Sequence, residues 1–329
     1  GQILSLGISC RVYAPVGSHE DLLPYLVRRL LENGANSSFV NQVADDSVTD
    51  DELLRNPLEI LSGYASIEHD KIPSPARIFA GRVNSGGVNI THFSELGALQ
   101  SAVTLHWSER YRAAPGHDWQ ENEEGKTQQV RNPANHRDVV GEVQYAGAER
   151  VNRLVDNAVR AFAPWNAKGV DERAQLIEAV ADLLEEQRPL LVSLLIREAG
   201  KVVTDALDEV REAVDFCRYY ASQARHCMQP SQLSGYTGET DVLTLSGRGV
   251  VACISPWNFP VAIFVGQVVA ALVTGNTVIA KPAEQTSLLA AQVVTIFHRA
   301  GVGSDVIQLL TGTGDVAGSA LVAHAAIAA

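Results

Sequence analysis

Cysteine is scarce in this 329-residue chain and never patterned: Cys10, Cys217, Cys227 and Cys253 form no CxxC and no regular spacing. That excludes a disulfide framework and a structural zinc site, and it fits a reducing compartment. Nine histidines are scattered singly, without the paired spacing of a metal-binding helix, so no metal is expected. The single methionine is Met228, so the chain does not open on an initiator, and it stops on apolar Ile327-Ala328-Ala329; both ends read as cut from something larger. Bases are outnumbered, 26 against 38 acids, for a net charge of −12 and a pI near 5.2, which argues against a nucleic-acid surface on this segment. Neither a signal peptide nor an internal repeat is visible, and the sequence reads as cytoplasmic.

Charge of either sign is missing from one long stretch, Gly249 to Ala280, which contains SPWNFP (Ser255–Pro260) and is followed by KPAE (Lys281–Glu284). A membrane span is excluded, because the part free of the proline loop and of Gly275-Asn276 is only about fourteen residues, the length of a core helix. Val250–Ile254 is apolar and β-branched enough for a strand buried on both faces, and Pro256 with Pro260 forces an irregular loop after it. Val261–Thr274 then reads as a buried helix stopped by Gly275-Asn276, and Thr277–Ala280 as a second strand. Strand, helix and strand in so short a span make a right-handed crossover with parallel strands. Both carboxyl ends then open on one sheet edge, so Asn258 and Lys281–Glu284 face the crevice where open α/β sheets bind ligands. Cys253 falls inside the first strand and is assigned to packing.

A hydrophobic content of 46% is ample for two or three cores. RVYAPVG (Arg11–Gly17) reads as a strand, followed by a helix over Glu20–Glu32 that ends at Asn33-Gly34, with Ser18 and Asp21 as its cap signals. Residues 43–130 carry 14 acids against 7 bases, a solvated connector with short helical pieces near Thr49–Leu61 and Glu95–Arg110. Four helices follow: Glu149–Ala161, one capped by Asp171, one opened by Pro189 and stopped at Gly200, and Val202–Arg225. Beyond the crossover come a helix at Ser287–Arg299, a strand at Val306–Leu310, which is expected to leave an edge unpaired, and a helix from Asp315. This describes a doubly wound α/β domain with a helical preface.

Four motifs carry candidate chemistry. Gly312-Thr313-Gly314-Asp315-Val316-Ala317-Gly318 follows a strand and opens a helix, the context of a dinucleotide turn, although its spacing is GxGxxxG and a plain tight turn explains the same letters. Lys281 can donate to ribose hydroxyls while Glu284 accepts from them, and a carboxylate there repels a 2′-phosphate, favouring NAD over NADP; the bland alternative is a surface ion pair. Asn258, between Trp257 and Phe259 in a loop stiffened by two prolines, suits an oxyanion hole, which needs donors in place before charge develops; a turn-forming asparagine is the alternative. On the N-terminal helix Tyr25, Arg28, Arg29 and Glu32 share a face, where two guanidinium groups can clamp a carboxylate beside a tyrosine. Solvated helix charges with an Arg28 to Glu32 pair would account for the same pattern.

RVYAPVGSHEDLLPYLVRRLLENGANSSFVNQ resembles the last strand and helix of the proline dehydrogenase (β/α)8 barrel, while REAGK, EVREAVDFCRYYA, ISPWNFPVAIF, AKPAEQTSLLAAQ and GTGDVAG resemble the aldehyde dehydrogenase superfamily. In this order, joined by an acidic connector, they resemble the bacterial bifunctional proline utilization A family over essentially the whole chain. The resemblance implies a barrel end at 1–42, a connector at 43–126 and the NAD-binding part of an incomplete aldehyde dehydrogenase at 127–329. It implies that an FAD-bearing barrel oxidises L-proline to 1-pyrroline-5-carboxylate and that an NAD-dependent dehydrogenase converts glutamate semialdehyde to L-glutamate. By position, Arg28 and Arg29 hold the proline carboxylate while Tyr13 and Tyr25 border its ring. Asn258 donates to the thiohemiacetal oxyanion, and Lys281 and Glu284 bind the adenosine ribose. The backbone of Ile254, Ser255, Pro256 and Trp257, with Ala283 and the turn Gly312, Gly314, Asp315 and Gly318, lines the NAD pocket. The family's catalytic cysteine, its water-activating glutamate and most FAD contacts would lie beyond this chain, which is therefore expected to be inactive alone. A homo-oligomer is expected of the full enzyme, and contact with membrane quinone is left open. A single-function aldehyde dehydrogenase with an unrelated leader, or an NAD-binding scaffold without chemistry, are the alternatives.

Overall fold

The computed structural model describes Gly7 and residues 15–35, 38–65, 71–119 and 127–329. The chain divides into two compact units, Gly1–Ile72 and Pro73–Ala329. Tyr13 and residues 11–14 of the expected first strand lie outside the described residues, and Pro15–Gly17 form no strand.

In the first unit α1 spans His19–Gly34 and is followed by α2 (Phe39–Val43), α3 (Asp50–Leu53) and α4 (Pro57–Ser62). The short helices owe their starts to side-chain caps: the Ser38 hydroxyl accepts from Asn41 N, Thr49 and Glu52 form a reciprocal capping box, and Asn56 caps ahead of Pro57. Leu23, Leu26, Val27, Leu30 and Leu31 of α1 are all exposed.

The second unit opens with α5 (Phe93–Leu105) and β1 (Tyr111–Ala113), then a hairpin of β2 (Thr127–Asn132) and β3 (Asn135–Gln144) turning at Pro133-Ala134. β1 lies parallel to β3, Tyr111 opposite Gly141, so part of the expected connector enters a sheet. Buried Arg197 fastens it there: the guanidinium forms a fork on the Asp138 carboxylate at 3.0 and 2.8 Å and donates to Glu109 O at 2.9 Å.

Four helices follow, α6 (Ala148–Ala167), α7 (Val170–Glu186), α8 (Arg188–Arg197) and α9 (Val203–Cys227), with an exposed hairpin of β4 (Ser231–Leu233) and β5 (Asp241–Leu243). α6 runs past the expected stop at Ala161 and through Pro164, because Trp165 is buried and donates from Nε1 to Leu272 O at 3.0 Å. Asp171 does not cap α7; Gly169 occupies that position, and Asp171 lies in the first turn, paired with Arg225 at 3.3 Å. An acid in that turn is still favoured by the helix dipole.

The last sheet holds β6 (Val250–Ile254), β7 (Thr277–Lys281) and β8 (Ile307–Leu309), all parallel, with α10 (Ala262–Val273), α11 (Ser287–Arg299) and α12 (Ser319–Ala323) as the helices. Side chains alternate across it as the period of two requires. Val278 and Ala280 face the core shared with α7 to α11, whereas Ile279 packs with Val151, Leu154 and Val155 of α6. Gln308 on β8 points to the α6 side and donates to Leu154 O at 2.6 Å. Gly275, at φ +92°, stops α10 where expected. Among the described residues β8 takes only β7 as ladder partner, but Thr311 just beyond it is tied to the end of β3 through Ala146 N at 2.9 Å. The outer side of β6 is met by residues 327–329, with Ala328 N donating to Val250 O and Ala252 N to Ala329 O, both at 2.9 Å.

Candidate functional site

The register of β6 on β7 places Ile254 opposite Lys281, and Ser255 N donates to Lys281 O at 3.1 Å. Two loops therefore leave the sheet side by side. From β6 the chain continues through Pro256, Trp257, Asn258, Phe259 and Pro260; Ser255 is buried, whereas Trp257, Asn258 and Phe259 are exposed. From β7 it continues through Pro282 and Ala283 into a short 3-10 turn, Glu284–Thr286, that leads into α11.

Lys281 is 5% exposed, and its ammonium donates to Pro282 O at 3.0 Å. Burial lowers its affinity for the proton, against a smaller opposing pull from Glu284. Glu284 reaches the glycine turn, its Oε1 accepting from Gly314 N at 3.0 Å. Gly318 lies under the lysine stem, so that a Cβ there would stand 3.5 Å from Lys281 Cε. Ile254, Lys281, Gly314, Gly318 and Ser319 line one cleft of about 550 Å³. Gly312 stands behind this cleft: it is buried, and a Cβ would come within 2.5 Å of Ala317 Cβ, so its task is to let the turn close. Asp315 is exposed on the same turn.

The structure thus brings the strand end, the lysine and glutamate pair and the turn to one place. A donor and an acceptor at one mouth, with no side chain at Gly314 or Gly318 to fill it, suit the vicinal hydroxyls of a nucleotide ribose. Cys253 and Cys217 are buried, and burial raises both thiols, Cys253 to about 12, which leaves neither as a nucleophile.

Two buried acids escaped the sequence reading. Glu198 is buried, and its carboxylate accepts from Leu288 N at 2.8 Å and Leu289 N at 2.7 Å at the start of α11; burial raises it to about 8 against those two bonds. Glu209 accepts from Val261 N and Ala262 N at the start of α10. The available signal was the crowding of Arg197, Glu198 and Lys201 against the apolar run of α8, where ionisable groups are buried only when partnered.

On α1, Arg29 rather than Arg28 pairs with Glu32, at 3.1 Å, and its guanidinium lies 5.6 Å from the Tyr25 ring centroid. Tyr25, Arg28 and Arg29 are all exposed. Among the described residues no group of three or more His, Cys, Asp or Glu is placed to hold a metal ion, and no helix is long and apolar enough to cross a membrane.

Residues 119–329 match the aldehyde dehydrogenase family, and residues 1–42 match proline dehydrogenase. The chain is 45% identical to the bifunctional protein PutA of Salmonella typhimurium, over 97% of its own length and 24% of that protein. It therefore spans about a quarter of the length of that relative. A variant of proline utilization A from Bradyrhizobium japonicum superposes with a TM-score of 0.78 at 41% identity, covering 99% of this chain and 30% of the other. The 1-pyrroline-5-carboxylate dehydrogenase of Thermus, solved with bound NAD, gives 0.69 at 32% identity over 74% of this chain and 48% of the other.

Proposed function

The chain belongs to the aldehyde dehydrogenase family, and on that premise we propose that its Pro73–Ala329 unit supplies the NAD-binding side of a dehydrogenase that oxidises glutamate semialdehyde to L-glutamate. The observation that carries this reading is the pairing of Ile254 with Lys281, which delivers two loops and the Gly314–Gly318 turn to one cleft. Lys281 and Glu284 hold the adenosine ribose, with Glu284 also fixing the turn through Gly314 N. The backbone from Ile254 to Trp257, with Ala283, Gly314, Asp315 and Gly318, borders the coenzyme on a sheet whose faces are both covered by helices. NAD, when bound, accepts the electron pair that leaves the aldehyde carbon. Asn258 donates from its side-chain amide to the oxygen that becomes negative during the reaction.

The same proposal covers the first 42 residues. They are the end of a proline dehydrogenase barrel that carries FAD and converts L-proline to 1-pyrroline-5-carboxylate, the cyclic form of the semialdehyde. Arg28 and Arg29 bind the proline carboxylate, with Tyr25 and Tyr13 beside its ring. Residues 43–126 then form the connector, whose later part, including β1, is built into the dehydrogenase unit. The order of the two family matches along one chain supports a bifunctional protein of proline catabolism.

The test is a coupled assay on the natural full-length protein. Proline supplied with a flavin electron acceptor and NAD should yield glutamate and reduced coenzyme. Release of 1-pyrroline-5-carboxylate with no NAD-dependent glutamate would overturn the dehydrogenase half of the reading.

A further inference from the structure

Asn258 is exposed, so whatever keeps it still has to act on the ends of its loop. That loop runs into the first turn of α10, a helix start whose N–H groups need acceptors. Glu209 of α9, 2% exposed, supplies one: a single carboxylate oxygen accepts from Val261 N at 3.2 Å and Ala262 N at 2.9 Å. Its other oxygen stands 2.8 Å from Lys201 Nζ. Lys201 is itself fixed, because its backbone N–H donates to Leu195 O at 3.1 Å just after Gly200, which turns the chain at φ +70°. The same ammonium lies 4.7 Å from the centroid of the Phe259 ring, next to Asn258. One ion pair, its carboxylate buried and its ammonium largely so, therefore grips the loop twice, at the residues after Pro260 and at the ring beside the asparagine.

Taking a carboxylate and an ammonium out of water is costly, and a packed apolar pair would hold two helices together at least as well. What an apolar pair cannot do is accept two N–H groups and attract an aromatic face at once. We propose that Lys201 and Glu209 are positioning residues, which fix the Ser255–Pro260 loop so that the Asn258 amide is already in place when the oxyanion forms. This rests on the reading of Asn258 given above.

The experiment is a mutant cycle on the natural full-length protein with NAD and the semialdehyde. Asn258→Ala should lower kcat by about 100-fold or more, as for loss of one oxyanion donor. Lys201→Met should lower it by on the order of 10-fold with a smaller change in KM, the signature of a misplaced group, and Lys201→Arg should retain most of the activity. In the Asn258→Ala background Lys201→Met should cost nothing further. Glu209→Gln, which keeps an acceptor for the two N–H groups but loses the charge, guards against a failure to fold. Hydrogen exchange over residues 255–262 should speed up in both Lys201→Met and Glu209→Gln while the rest of α10 stays protected. The proposal is overturned if Lys201→Met costs the same factor with and without Asn258. Wild-type kcat and wild-type loop exchange in Lys201→Met, with Asn258→Ala still impaired, would also overturn it. Should Asn258→Ala itself leave kcat unchanged, the oxyanion reading falls and takes the proposal with it.

Discussion

The charged groups on α1 and those at the end of β7 are held in opposite ways. On α1 Arg29 meets Glu32 one turn on and lies over Tyr25 one turn back, on an exposed face. At the strand ends Lys281 is buried, and Glu284 is bonded to Gly314, thirty positions away. Helical spacing brings the first cluster together on a face open to water. The second is arranged by a sheet and two crossovers, and its geometry is set before a ligand arrives. The strand-end cluster is therefore pre-organised by the fold, while the helix cluster stands on an exposed helix face.

The largest expected effect that separates the two clusters is chemical. Arg28→Ala in the natural full-length protein should lower kcat/KM for proline by about 10- to 100-fold, the worth of a charge-assisted contact to a carboxylate. Semialdehyde oxidation should be untouched; parallel assays of both activities check this, and equal losses in the two would break the division. A smaller effect is structural and confined to the strand-end cluster. Gly312→Ala forces a Cβ to within 2.5 Å of Ala317 and should cost about 1–3 kcal/mol, read as a drop in Tm of a few degrees. The same change at Gly314, where a Cβ would meet nothing within 4 Å, should leave Tm almost unchanged.

The smallest effect is a pH dependence. Burial, helped by His298 at 5.2 Å between ring centroids, pushes the His117 imidazole down to about 4. A base whose folded pKa lies below its unfolded value is charged first in the unfolded chain. Stability is thus present above about 6.5 and lost as the pH falls towards 4. His117→Asn removes the titration and tolerates the left-handed φ of +58° at that position. Melting curves from pH 7 to pH 4 should be flatter for the variant, and identical slopes would exclude His117 as the cause.

Much of the strand-end region was legible because its residues obey local rules. Val250–Ile254 and Ser287–Arg299 have the expected bounds, since an unbroken apolar run between turn residues leaves few alternatives. Gly275-Asn276 stopped α10 as foreseen. Tertiary contacts decided what local rules could not. Trp165 carried α6 beyond Pro164, and Arg197 drew Tyr111–Ala113 into a sheet with β3. Spacing marked Gly312 as a ligand-facing glycine, and the structure adds that a Cβ there would meet Ala317, a constraint that spacing does not reveal. The buried acids Glu198 and Glu209 left little trace in the sequence because their partners are backbone N–H groups, which every residue but proline possesses.

The most direct test of the whole account is equilibrium titration of the natural full-length protein with NAD and NADP, comparing wild type with Glu284→Ala. The account predicts saturable binding of NAD, preference for it over NADP in the wild type, and about 10-fold weaker NAD binding with a narrowed preference in the variant. An NAD affinity that Glu284→Ala leaves unchanged would contradict it.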